Sequence, residues 1–116
     1  MPSKQVYLRF LNLIHALEGG QHAPAMDLDA KKILEVIAVR HAENKPLTVT
    51  DAMALNTIAS PATIHRKLDQ LRELGMIDTV FEGKNRRTKY LVPTQAAHDY
   101  FEHIGQAMQE ALAQAH

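Results

Sequence analysis

TVTDAMALNTIASPATIHRKLDQLRELGMIDTVFEGKNRRTKYLV, residues 48–92, decides the fold, because local signals divide it into two helices and two strands. Ser60 is a good N-cap, since its hydroxyl can accept from the free N–H groups of a first helical turn. Pro61 suits the next position, where no N–H is needed and the fixed φ is already helical. Ile64, Leu68, Leu71 and Gly75 then recur at four, three and four residues, which predicts one apolar stripe ended by a left-handed glycine cap. Upstream, Thr50 is expected to cap a short helix from Asp51 to about Leu55, with Asn56–Ala59 as the turn between the helices. Downstream, Ile77–Phe81 and Thr88–Val92 are rich in β-branched and aromatic residues and read as the strands of a hairpin. Gly83 and Asn85 supply the left-handed conformations its turn requires. The pattern predicts a helix-turn-helix followed by a hairpin.

With Ile64, Leu68 and Leu71 inward, the outward and flanking positions of the second helix are Ala62, Thr63, Arg66, Asp69 and Gln70. Ser60, Pro61 and Ala62 form a small, polar tip, which is where a recognition helix meets base edges in a major groove. Arg66 can donate bidentately to a guanine edge or to a phosphate, and His65 and Lys67 can reach the backbone. Taken alone, such a helix is equally an ordinary solvated amphipathic helix. The hairpin tip adds to it. Lys84, Arg86, Arg87 and Lys89 place four cations within six residues, beside Asn85. Directly after a helix-turn-helix, a basic hairpin reads as a wing that grips phosphate or probes a minor groove.

The order helix, helix-turn-helix, two-stranded wing and terminal helix resembles a winged-helix domain. The run Ser60-Pro61-Ala62-Thr63-Ile64 through Leu68, Leu71, Leu74, Gly75, Met76 and Ile77 is similar to the recognition-helix signature of the multiple-antibiotic-resistance (MarR-type) repressors. The likeness spans roughly Asp27 to Thr94. It implies a mainly α fold with a small β-hairpin wing, groove-facing roles for Ser60, Pro61, Ala62, Thr63 and Arg66, and wing-tip roles for Arg86 and Arg87. The Asp-x-Arg pair of that family's wing is replaced here by Lys84-Asn85-Arg86-Arg87, which keeps the charge. The family often carries two helices after the wing, where this chain has one.

The chain has 116 residues, 46% of them hydrophobic, enough for one domain with a usable core. Its formal net charge is zero, so any basic surface must come from distribution. Residues 60–90 carry seven cations against four anions, whereas residues 91–116 carry three acids and no Lys or Arg. The basic excess coincides with the proposed reading surface.

Outside the quoted stretch, Ser3 to about Glu18 reads as a helix bearing Val6, Tyr7, Phe10, Leu11, Leu13, Ile14 and Leu17. That is more apolar surface than one stripe, so it needs cover on more than one side. Gly19-Gly20 stops it, and a loop from Gln21 to Met26 follows. Asp27 or Asp29 caps a core helix to about Glu43, with Ile33, Leu34, Val36, Ile37 and Val39 at its apolar centre. Leu47-Thr48-Val49 is short enough for a third small strand. Pro93 ends the wing, and Thr94 caps a last helix whose Ala97, Phe101, Ile104, Met108, Ala111 or Leu112, and Ala115 follow heptad-like spacing. Both terminal helices are therefore expected to build a homodimer through Val6, Phe10, Leu13, Leu17, Phe101, Ile104, Met108 and Leu112. The alternative is that each packs only within its own fold. The expected organisation is a single domain: residues 1–26 as helix and loop for dimerisation, 27–93 as the winged helix-turn-helix, and 94–116 as a second dimerisation helix.

Absence of cysteine excludes a disulfide frame, a thiol switch and a Cys-ligated zinc site. His98 with Glu102 and Asp99 with His103 are spaced for ligand pairs, and His15 and His22 could complete a site. With no dense cluster, the expectation is no metal and no cofactor. Phosphate-cradling loops and nucleophile motifs are lacking, so no enzyme is expected. No apolar run is long enough for a membrane span and no signal-peptide pattern appears, so the cytoplasm is expected. The function these features favour is a sequence-specific double-stranded DNA-binding transcriptional regulator, a repressor acting as a homodimer, with any small-molecule effector unknown. Alternatives are a winged-helix module that binds protein, or a replication or partition protein of mobile DNA.

Overall fold

The computed structural model describes residues 3–20, 24–84 and 86–113. Five helices and one hairpin follow in the order α1 (Ser3–Glu18), α2 (Leu28–Ala42), α3 (Val49–Met53), α4 (Pro61–Glu73), β1 (Ile77–Phe81), β2 (Lys89–Pro93) and α5 (Gln95–Ala113). They fall into two compact units, Ala25–Ala97 and Met1–Pro24 with His98–His116.

The first unit, Ala25–Ala97, is the helix-turn-helix head with its hairpin. Asp27 starts α2 by accepting from the N–H of Ala30 at 2.9 Å. Ala30, Ile33, Leu34 and Ile37 are buried in a 3-1-3 pattern that gives α2 one inward stripe. That stripe packs on α4, whose Ile64, Leu68 and Leu71 are also buried. Val39 is a correction to the expected apolar centre. It is 58% exposed, because it lies off the stripe set by Ile33 and Ile37.

A second correction concerns α3. Thr48, not Thr50, is its cap, and the helix runs Val49–Met53. The Thr48 hydroxyl accepts from the Asp51 N–H, and the Asp51 carboxylate accepts from the Thr48 N–H, both at 3.1 Å. This reciprocal box needs a polar acceptor three residues after the cap. Thr48 finds Asp51 there, whereas Thr50 would find Met53.

Helix α4 starts at Ser60 and Pro61 as expected and ends in a Schellman turn. Gly75 has φ +73°, its N–H reaches the Arg72 carbonyl, and the Met76 N–H reaches the Leu71 carbonyl, both at 2.9 Å. The chain leaves directly into β1, which pairs antiparallel with β2 from Ile77↔Pro93 to Phe81↔Lys89. Strand β2 thus starts one residue later than read and includes Pro93. The proline sits at the last rung, where a missing N–H is tolerated. The expected third strand reduces to a Thr48↔Tyr90 bridge, with the Leu91 N–H donating to the Leu47 carbonyl at 2.7 Å. Thr94 caps α5, its hydroxyl accepting from the Ala97 N–H at 3.2 Å and donating to the Gly75 carbonyl at 2.6 Å.

The second unit is built differently. Helix α1 has the expected bounds and no buried residue. On α5 the buried positions within this unit are alanines, Ala107 and Ala111. Ala111, not Leu112, takes the inward place in the spacing, and Ala115 lies outside the described residues. The Tyr100 and Phe101 rings meet in a tilted arrangement, 5.6 Å between centroids and 50° between planes. A trough of about 620 Å³ is lined by Val6, Tyr7 and Phe10 of α1 and by Met108 and Leu112 of α5. No described helix is long and apolar enough to cross a membrane.

Candidate nucleic-acid interface

The tip of α4 presents Ser60, Pro61 and Ala62 to solvent. Its hydroxyls form a chain. Ser60 Oγ accepts from the Thr63 N–H at 3.3 Å and donates to Thr63 Oγ1 at 3.0 Å. Thr63 Oγ1 also accepts from Arg66 Nη2 at 3.1 Å. One hydroxyl therefore orients the guanidinium of Arg66 one turn behind the tip. An arginine held this way keeps other N–H donors for a base edge, and less rotamer entropy remains to be lost on contact.

The flanks of α4 are partly engaged within the head. His65 Nδ1 lies 3.6 Å from Asp69 Oδ2, an ion pair only when the imidazole is protonated. Asp69 Oδ1 also accepts from Arg72 Nη1 at 3.4 Å. Lys67 Nζ reaches Asp27 Oδ2 at 2.5 Å, and the lysine side chain is only 18% exposed. Lys67, read as a backbone contact, thus has a structural partner: it ties α4 to the cap of α2. This pair was not legible in the sequence, since its members are forty residues apart.

The bond from Lys67 holds the Asp27 carboxyl below its ordinary value of 3.8, helped by the N–H of Ala30. A depressed folded-state pKa means a contribution present above pH 3.8 and lost as pH falls through the folded value. Asp27→Asn keeps a capping oxygen and removes the charge. Its denaturant midpoint is expected to vary less than that of the natural protein between neutral pH and pH below 3.8. Parallel pH profiles for the two proteins would remove the pair from the acid response.

At the wing, Gly83 takes φ +58° as the turn requires. Lys84, Arg86, Arg87 and Lys89 are all exposed, while Asn85 lies outside the described residues. Arg86 Cζ stands 5.6 Å and Lys89 Nζ 5.5 Å from the centroid of the Phe81 ring. The sequence marks Phe81 only as strand content. The signal that finds it is pairing, since the register sets it opposite Lys89.

Each of the eight residues read as dimer contacts is half-buried or exposed. Val6, Phe10, Leu13, Leu17, Phe101 and Ile104 are half-buried, and Met108 and Leu112 are 57% and 53% exposed. Tyr7, 58% exposed, lines the same trough as Val6 and Phe10 and is not among the expected contacts. No three described His, Asp or Glu side chains gather as a metal site would require, and His22 is not among the described residues.

A capped helix-turn-helix followed by a two-stranded wing defines a winged-helix fold, here mainly helical. No family model and no curated protein sequence matches the chain. Solved structures do. The chain is similar to RV1404 from Mycobacterium tuberculosis, with TM-score 0.67 and 15% identity over 97% of this chain and 70% of that one. It is similar to a MarR-like transcriptional regulator from Thermotoga maritima, with TM-score 0.65 and 13% identity over 99% and 81%. It is also similar to FabT of Streptococcus pneumoniae, whose structure is a complex with DNA, with TM-score 0.58 and 17% identity over 95% and 74%. The chain has the fold of MarR-like winged-helix transcriptional regulators.

Proposed function

We propose that this protein is a sequence-specific double-stranded DNA-binding transcriptional regulator, not an enzyme, that works as a homodimer in the cytoplasm and represses by occluding a promoter. The observation that carries the reading is the exposed tip of α4 with Arg66 anchored on Thr63. Ser60, Pro61, Ala62, Thr63 and Arg66 read base edges, while His65, Lys84, Arg86, Arg87 and Lys89 meet phosphates. The fold of FabT, captured with DNA, supports it.

The dimer rests on the second unit, where α1 buries no residue and Met108 and Leu112 stay over half exposed. Val6, Tyr7, Phe10, Met108 and Leu112 line one trough, and a contiguous exposed apolar patch marks an association site. Residues 1–26 and 94–116 serve dimerisation and residues 27–93 read DNA. Leu112→Ala, at 53% exposure, is expected to shift sedimentation toward the monomer without unfolding the head. A natural protein that sediments as a monomer at working concentration would remove the homodimer.

Selection from a random duplex pool at two salt concentrations tests the whole reading. The expected result is a palindrome with half-sites about ten base pairs apart, bound less tightly as salt rises. Weak binding without an enriched sequence would abandon it in favour of a protein partner. Thr63→Val keeps the β-branched shape and removes the oxygen that receives Arg66. Its stability is expected to stay within about 0.5 kcal/mol, while discrimination among half-sites relaxes by roughly ten-fold. Repeating the selection checks this, and an unchanged consensus would count against a reading role for Arg66.

A further inference from the structure

Strand β1 alternates along one face through Ile77, Thr79 and Phe81, facing Pro93, Leu91 and Lys89 of β2. Near the base of the hairpin this face is core, since Ile77, Leu91 and Pro93 are buried. Toward the tip it outruns the core, and Phe81 is left 36% exposed with Lys89 as its cross-strand partner. A large ring at such a position gains little from burial. It gains instead from the two cations at its π surface, Arg86 at 5.6 Å and Lys89 at 5.5 Å. An aromatic face attracts a cation through its quadrupole and accepts no N–H through a lone pair, so donors remain for another acceptor.

We propose that Phe81 is a positioning residue of the wing, whose ring gathers Arg86 and Lys89 into one preformed cationic clamp for a single nucleic-acid phosphate. This rests on the DNA-binding reading given above and assigns a role in it to a residue that need not touch DNA. The ring acts through entropy. It restricts two long side chains that would otherwise lose their rotamer freedom on meeting the phosphate. Arg86 belongs to the turn and Lys89 to the strand, so the same contact also joins the turn to the ladder.

The test uses the full chain and a mixed-sequence duplex of about 30 base pairs, titrated between roughly 50 and 200 mM salt, since phosphate contacts need no operator. Phe81→Leu keeps an apolar side chain without a π face, and Phe81→Trp restores a stronger one. Phe81→Leu is expected to bind about five-fold more weakly with a shallower salt slope, and Phe81→Trp to match the natural protein. A second readout needs no DNA. Methylene protons of Arg86 and Lys89 should show upfield ring-current shifts in the natural protein that vanish in Phe81→Leu.

Natural-strength binding and slope in Phe81→Leu would overturn the clamp while leaving the regulator intact. Equal weakness of Phe81→Leu and Phe81→Trp would overturn it too, by making Phe81 a packing prop. Lack of duplex binding by the natural protein would instead sink the regulator reading, and the clamp with it.

Discussion

Replacing both Arg86 and Arg87 by alanine is expected to weaken duplex binding by on the order of 10- to 100-fold at moderate salt, with little change in folding. Both side chains are exposed at the wing, so no core contact is lost with them. Each phosphate-bound cation contributes roughly one unit to the slope of log affinity against log salt. The double variant should therefore lose about two units of slope, where a change in base reading would lower affinity with the slope intact. Fluorescence anisotropy across a salt series measures both quantities. A variant that binds as tightly as the natural protein, with the same slope, would take the wing out of the interface. The protein-binding alternative makes the opposite forecast, because a complex resting on helix contacts would survive the change.

Leu68→Ala is expected to carry the largest stability cost of any single change considered, about 3 kcal/mol. Leu68 is 1% exposed on the inner side of α4, the helix that packs on α2. Truncation there removes buried methyl groups and leaves a cavity between two helices whose backbones are pinned by caps at Asp27 and Ser60. The head has little freedom to collapse into that space. In a unit of this size such a loss should lower the melting midpoint by more than roughly 10 °C. Calorimetry gives the answer, and a shift of only a few degrees would mean that α4 repacks. DNA affinity per folded molecule should change little, since Leu68 contributes nothing to the outer face.

Elements with redundant local signals were legible in the sequence. Helix α4 has a serine cap, a proline at its first position and a glycine that must take positive φ, and both of its ends fall where these place them. Errors arose where two residues competed for one role. Thr48 and Thr50 are both capable caps, and the choice turns on Asp51, three residues beyond the first. Val39 belongs to an apolar run, but the stripe of Ala30, Ile33, Leu34 and Ile37 leaves it in solvent. Contacts between distant residues were not legible at all. Nothing local reports that Lys67 meets Asp27, forty residues away. Such contacts are products of the fold, and they separate a cation available to a ligand from one already engaged.

All seven of the largest fully buried side chains among the described residues, from Ile33 on α2 to Leu91 on β2, lie between Ala25 and Ala97. The helix-turn-helix unit thus carries its own keel, with its heaviest ballast inside its own bounds. Apolar residues near the chain ends can accordingly be exchanged without taking any of those seven side chains out of its core.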